Sequence, residues 1–455
     1  METGKADDRT IAFGSDFPAD EFIRRRERIW AEIGDACALV ASAPSPRGFL
    51  PLRQASQFFY VSGLTTHQAY ILIDGNRRTS TAYAPLRGRA QIGEGSPPGL
   101  EDGDLIRSLT GVDAVKPVGD LAQDLANATV VYTPHAPAES RATCRYELRA
   151  ANRAMADDPW DGRPSREDHL IGLLRSRLPK VEVRDLTPIL DEMRSVKSPC
   201  EVAVMRRAGA LSAQAVLASM RVTRPGVREY QLGALANYIY AVSGAQGEGY
   251  RPIIAGGENI WHGHYFRLDA SLKDGDLVLM DVAPECNHYT SDIGRMWPVN
   301  GTYAPWHREL YGYMVEYHKA VLARLRPGVT PEQVTDEAAQ AMRPIWEGWR
   351  FSKDCYREGA RKTLEFRGHL SHPVGMAVHD DGGYYGRPLV PGTVLTVDPQ
   401  MWIPDEKLYI RVEDTVVITA DGLENLTAAA PLELDDVERL MRDEATELPL
   451  TGGNA

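Results

Sequence analysis

The stretch Gly275-Asp-Leu-Val-Leu-Met-Asp281 returns later in the chain as Gly392-Thr-Val-Leu-Thr-Val-Asp398. Each copy opens on a turn glycine, continues as a short apolar run of strand character and ends in a carboxylate. Each is followed by a second acid: Asp292, eleven residues on, in Tyr289-Thr-Ser-Asp-Ile-Gly294, and Glu413, fifteen residues on, in Ile410-Arg-Val-Glu-Asp-Thr415. The C-terminal part of the chain therefore reads as an internal duplication carrying four acids in two matching pairs. An aspartate ending a buried strand is costly unless hydrogen bonds, a cation or a metal compensate its charge. For one such residue a turn cap is the commoner explanation. Four acids that converge repel one another and need positive charge between them, which a pair of divalent metal ions supplies.

A nitrogen ligand for such a pair can be sought in His369-Leu-Ser-His-Pro-Val-Gly-Met-Ala-Val-His-Asp380, where His369, His372 and His379 fall within eleven positions of a chain holding 11 histidines. A lone histidine is more often a hydrogen-bonded core residue, so the clustering carries the inference. A further group, His262-Gly-His-Tyr265, stands upstream of Asp281. Oxygen-rich sites with one imidazole suit Mn²⁺, Co²⁺, Fe²⁺ or Zn²⁺. Two such ions roughly 3.5–4 Å apart would hold a bridging hydroxide as nucleophile and polarise a scissile carbonyl.

Working outward, Ser198-Pro-Cys-Glu201 offers a serine N-cap, a proline at the first helical position and a glutamate at the third, so a long helix is expected from there to about Met220. A second helix is expected over 227–243, after Pro225-Gly226. Towards the N-terminus, Phe22, Ile23, Ile29, Trp30 and Ile33 recur at helical spacing, which predicts a helix from residue 20 to about 38. Its Arg24, Arg25, Arg26 and Arg28 read as a solvated face rather than an anion site. The segments beginning at Ala38, Gln57 and Ala69 are each closed by turn residues and read as strands. An α/β domain thus precedes the duplicated part, with the boundary expected near 180–190.

The 455 residues leave room for a large core in two unequal domains or three. A net charge of −12 disfavours nucleic acid and anionic membrane as main partners. Five scattered cysteines with no CxxC pair indicate neither a disulfide framework nor a thiolate zinc site. The N-terminal segment lacks the apolar run of a secretion signal, and no stretch approaches the roughly 18 apolar residues of a membrane span. A cytoplasmic protein is expected.

The order His264, Asp281, Asp292, His372, Asp398, Glu413 resembles that of the pita-bread metallopeptidases, with the likeness greatest to the aminopeptidase P (Xaa-Pro aminopeptidase) family and prolidase next. Ordered segments support it along most of the chain. Phe49-Leu-Pro-Leu-Arg-Gln-Ala-Ser-Gln-Phe-Phe-Tyr-Val-Ser-Gly63 resembles the family's N-terminal domain signature. Arg194-Ser-Val-Lys-Ser-Pro-Cys-Glu201, Gly256-Gly-Glu-Asn259, Ser291-Asp-Ile-Gly-Arg295, Pro298-Val-Asn-Gly301 and Gly422-Leu-Glu-Asn-Leu-Thr427 are similar to successive segments of its catalytic domain.

The resemblance implies an α+β chain: a smaller α/β domain of the aminopeptidase P N-terminal type over 1–185 and a pita-bread (creatinase/aminopeptidase-like) catalytic domain over 186–455. It implies a metallopeptidase that releases the N-terminal residue from peptides with proline in second position, using two divalent ions, foremost Mn²⁺. Carried over by position, Asp281 would chelate one metal, Asp292 and Glu413 would bridge both, and His372 and Asp398 would complete the ligand set of the second metal. His264 and His379 would line the substrate site, Arg411 and Tyr250 would organise the metal site and its substrate end, and His369 and Trp402 would face the substrate. A homodimer or homotetramer is expected.

Three positions depart from the pattern. Asp398 stands where the family has glutamate, Trp402 where it usually has tyrosine, and the first histidine of its His-Gly-Leu-Ser-His is displaced, here Gly368-His369-Leu-Ser-His372. The departures keep open a pita-bread enzyme turned to a small amide or other non-peptide substrate, and a prolidase-like dipeptidase is the other alternative, since the two peptidases differ mainly in how the mouth of the site is walled off.

Overall fold

The computed structural model describes residues 16–46, 48–88, 97–367 and 370–446. Two of the positions just named, Gly368 and His369, lie outside them. The chain divides into two compact units, Met1–Arg194 and Ser195–Ala455. The division differs from the expected one by the helix Thr187–Ser195, which falls almost wholly in the first unit.

The first unit is built on the strands β1 (Cys37–Ala41), β2 (Tyr70–Asp74), β3 (Thr79–Ala84), β4 (Ala114–Pro117), β5 (Val130–Thr133) and β6 (Glu182–Asp185). They form one mixed sheet in the order β4-β3-β2-β1-β5-β6, antiparallel where β1, β2 and β3 meet and parallel elsewhere. Leu39, Leu72, Tyr83, Val131 and Leu174 make the core on one side of it.

Three expectations for this unit are corrected. The first helix is Ala19–Ile33, not 20 to 38, because Gly34 leaves the helix at φ 60° and Cys37 opens β1. Gln57 to Gly63 is not a strand but part of the helix Ser56–Ser62, closed by Gly63 in the left-handed region at φ 70°. All seven of its residues are buried, so no polar face marks its period and the apolar run reads equally well as a strand. Arg25 and Arg26 are not solvated. Both are buried, and they donate to the carbonyls of Tyr60 (2.9 Å) and Val61 (2.9 Å), where that short helix leaves acceptors unmet.

The second unit contains β7 (Ile253–Gly256), β8 (Leu277–Asp281), β9 (Ile293–Pro298), β10 (Val394–Val397), β11 (Gln400–Ile403), β12 (Leu408–Arg411), β13 (Glu413–Ile418) and β14 (Leu423–Asn425). An antiparallel sheet runs β10-β13-β9-β8-β7, with β14 added to β13, while β11 and β12 form a separate hairpin. The duplication is thus visible as architecture. The twin strands β8 and β10 flank the inner pair β9 and β13, and each half brings helices ahead of its strands: Pro199–Val222 with Glu229–Val242, then Pro305–Leu322 with Pro331–Gly348.

The helix expected after Ser198 is Pro199–Val222, and its cap is the predicted one. The Ser198 hydroxyl accepts from the Glu201 N–H (3.3 Å), and the Glu201 carboxylate accepts from the Ser198 N–H (2.9 Å). None of the five cysteines forms a disulfide, and among the described residues no helix is long and apolar enough to cross a membrane.

Candidate metal centre

Strand register collects the acids. Asp281 at the end of β8 and Glu413 at the start of β13 both pair with Gly294 of β9, so the two carboxylates approach from either side of one glycine. A Cβ on Gly294 would stand 3.0 Å from Glu413 Cβ, 3.2 Å from Glu413 Oε2 and 3.3 Å from Arg411 Nε. The missing side chain makes the space the acids occupy. Asp292 immediately precedes β9, where the Thr415 hydroxyl pins its backbone by accepting from its N–H (2.7 Å) and donating to its carbonyl (2.8 Å). Asp398 follows β10 directly.

All four acids are buried. The Tyr250 hydroxyl lies within reach of Asp281 and, at 2.6 Å, of Asp292 Oδ1, so its one proton serves two carboxylates. Arg411 pairs with Asp281, and its guanidinium lies 3.7 Å from Asp398 Oδ2 and 3.6 Å from Glu413 Oε2. Among the described residues this is the one permanent cation in their ion pairs, against four carboxylates. Burial and the neighbouring Asp281 push the Asp292 carboxyl well above its usual range. Burial, with Asp292 and Asp398 beside it, does the same to Glu413. Asp398 is raised to about 7, chiefly by burial.

The imidazole of His372 completes the cluster. Burial, and then the adjacent His379, lowers its basicity well below the ordinary histidine value, so it stays neutral. Its Nδ1–H donates to the Pro373 carbonyl at 3.2 Å. The unprotonated Nε2 then faces Asp292 Oδ2 at 3.5 Å and Glu413 Oε1 at 3.9 Å. Lone pairs facing one another beyond hydrogen-bond distance are what ligand atoms around a cation present. Asp292, His372 and Glu413 each offer an atom within 4.8 Å of the others. Asp398 Oδ1 and both oxygens of Glu413 are buried without a hydrogen-bond partner among the described residues. The donor set fits a divalent metal.

Most of the other expected site residues gather at the same place. His379 packs edge-on against His372 (ring centroids 4.1 Å) and stands 6.5 Å from His264, which is exposed. A row of imidazoles therefore leads from the surface to the acids. Trp402 lies over Tyr409 (4.2 Å) and edge-on to Trp261 (5.3 Å), and it faces Gly263 beside His264. It also borders, with Asp398, a cavity of about 440 Å³. His369 cannot be located, since it falls outside the described residues.

Several contributors have no counterpart in the sequence reading. Thr415 is one, and Gln400, whose Nε2 donates to Asp398 Oδ2 at 2.6 Å, is another. On the opposite face of β13, next to Glu413, the Asp414 carboxylate accepts from Arg295 (2.6 Å) and Thr427 (2.6 Å) and pairs with His318 Nε2 (2.7 Å). Burial works against its charge, but Arg295 and His318 hold Asp414 well below the usual carboxylate range. Arg295 also donates to the Glu413 carbonyl (2.6 Å), tying β9 to β13 behind the site. The adjacent acid pair Glu413-Asp414 was the one available signal, because alternation along a strand sends its two members to opposite faces.

Residues 203–420 match metallopeptidase family M24, and residues 22–134 match the aminopeptidase P N-terminal domain. The Xaa-Pro aminopeptidase of Escherichia coli is 32% identical, over 94% of this chain and 98% of its own. Among solved structures, aminopeptidase P from E. coli with the inhibitor Pro-Leu aligns at 30% identity and a TM-score of 0.77, over 94% of this chain and 99% of its own. Proline aminopeptidase P II from Yersinia pestis aligns at 31% identity and a TM-score of 0.75, over 93% and 99%.

Proposed function

The chain belongs to the aminopeptidase P family of M24 metallopeptidases, and from that premise we propose that it removes the N-terminal residue from peptides with proline in second position, using two divalent metal ions. The observation that carries the metal requirement is the burial of four carboxylates and a neutral imidazole around one guanidinium, with three of the carboxylate oxygens without a hydrogen-bond partner among the described residues. In this reading Asp281 would hold one ion, His372 and Asp398 the other, and Asp292 and Glu413 would serve both. Mn²⁺ suits the set best, with Co²⁺, Fe²⁺ or Zn²⁺ as substitutes. When bound, the ions neutralise the acids, polarise the scissile carbonyl and make water nucleophilic at neutral pH.

The protein's own groups do the rest. Arg411 and Tyr250 fix the orientation of Asp281 and Asp292. Asp398, ionised beside the metals, would take up the proton that the attacking water releases. His264 and His379, along the row that leads outward, donate to the carbonyl oxygen as it gains charge or to the departing proline nitrogen. Trp402 supplies an apolar wall against which a pyrrolidine ring packs. An N-terminal domain over 1–185, a catalytic domain over 186–455, and assembly as a homodimer or homotetramer in the cytoplasm go with this reading.

A second reading draws on the 440 Å³ cavity, which is bordered by Asp398 and Trp402, two of the three departures from the family pattern. A space in the range of small-molecule sites admits a compact amide or other metabolite. Dipeptide, tripeptide and longer Xaa-Pro substrates assayed with the Mn²⁺-loaded protein separate the cases. Cleavage that improves from dipeptide to tripeptide supports an aminopeptidase, and cleavage confined to dipeptides supports a prolidase-like enzyme. Two bound metals with no cleavage of any Xaa-Pro peptide leaves the small-molecule reading.

A further inference from the structure

Gln400 stands at the first position of β11, two residues beyond Asp398 and directly opposite Arg411 in the β11–β12 hairpin. Alternation puts Asp398, Gln400 and Trp402 on one side, while Met401 and Ile403, each 1% exposed, bury the other. The Gln400 amide donates to Asp398 Oδ2 at 2.6 Å, and the Arg411 guanidinium approaches the same oxygen at 3.7 Å. Both donors address Oδ2. The other oxygen, Oδ1, is buried and without a hydrogen-bond partner among the described residues.

An aspartate carboxylate swings on two torsions, and a single donor on one oxygen is enough to fix which oxygen is left free. We propose that Gln400 is a positioning residue: it holds the short Asp398 side chain by Oδ2, so that Oδ1 is presented as a metal ligand, and the Asp398–Gln400 pair does the work of the longer acid expected at 398. The proposal rests on the metal-site reading above. A misplacement of about 1 Å at a reacting group can cost about a hundredfold in rate, so the effect of losing the amide should appear in kcat rather than in substrate binding.

Three variants test it in the full-length protein: Gln400→Met, which keeps the length and removes the donor; Asp398→Glu; and Asp398→Glu combined with Gln400→Ala. Each is titrated with Mn²⁺ by calorimetry, and kcat and KM are measured on an Xaa-Pro tripeptide. Gln400→Met is expected to weaken one of two Mn²⁺ sites about tenfold and to lower kcat about ten- to a hundredfold, with KM within about threefold. Asp398→Glu alone meets the glutamine side chain and is impaired, and the double variant recovers both Mn²⁺ affinity and kcat. Non-additivity of this sign is the mark of two side chains acting as a pair.

Gln400→Met with unaltered Mn²⁺ affinity and kcat overturns the proposal, as does a double variant no better than Asp398→Glu. Should the unmodified protein bind two Mn²⁺ and cleave no peptide, the function proposed above fails. The calorimetric comparison then still decides the role of Gln400.

Discussion

Asp398 follows a strand with one oxygen held by Gln400 and the other buried without a hydrogen-bond partner among the described residues. Its folded-state pKa of about 7 lies above the unfolded value near 4, so the protein without metal gains stability from this group at low pH and loses it as pH rises from about 4 to 7. Thermal melts of metal-free protein across that window should show the loss, and Asp398→Asn should reduce it, leaving the part that Asp292 and Glu413 contribute. A bound cation reverses the sign, because it favours the ionised form. Arg411 is the complementary case. Its replacement by Met leaves the acids without their one permanent cation and should destabilise metal-free protein by about 3 kcal/mol, and metal-loaded protein by clearly less, as read from denaturant unfolding with and without Mn²⁺. Asp281 and Asp398 were legible in the sequence because each closes a glycine-led apolar run, and the repetition marked them as a pair. Gln400 and Thr415 were not, because their roles depend on a hairpin twist and on a contact across 123 residues.

At the scale of elements, Gly294 sets how close β8 and β13 can bring their acids. Gly294→Ala puts a methyl 3.0–3.3 Å from Glu413 and Arg411, with β9 paired on both sides and unable to withdraw. The variant should fold with a modest loss of stability yet bind Mn²⁺ at least about tenfold more weakly by calorimetry, a misplacement effect rather than an unfolding one. The helix Pro305–Leu322 carries a second test. Buried His307 accepts the Ala304 N–H on Nδ1 (3.0 Å), and burial lowers its pKa to about 4. Its contribution is therefore complete above pH 6.5 and is lost as pH falls towards 4, when protonation removes the acceptor. His307→Gln should reduce the slope of stability against pH in that window. Sequence signals served well where a chain segment sets its own structure, as in the Ser198–Glu201 cap. They failed for the helix Ser56–Ser62, whose burial on every side erases the period, and for Arg25 and Arg26, whose partners at Tyr60 and Val61 are distant in the chain.

At the scale of the molecule, the duplication read from two heptapeptides becomes a sheet in which the twin strands β8 and β10 flank β9 and β13. Family membership then accounts for the four acids, which a soluble core would not otherwise retain. If metal binding neutralises them, Mn²⁺ in hundredfold excess over its dissociation constant should stabilise the protein by about 2.7 kcal/mol, seen as a rise in melting temperature that EDTA reverses. The most direct measurement is the metal content of gel-filtered protein after Mn²⁺ loading, compared with that of Asp292→Asn, which removes one of the four acids while keeping its shape. Two ions per chain in the unmodified protein and fewer than one in the variant are the predicted result. No bound metal in the unmodified protein, or an unchanged content in Asp292→Asn, would contradict the assignment of this cluster as a dinuclear centre.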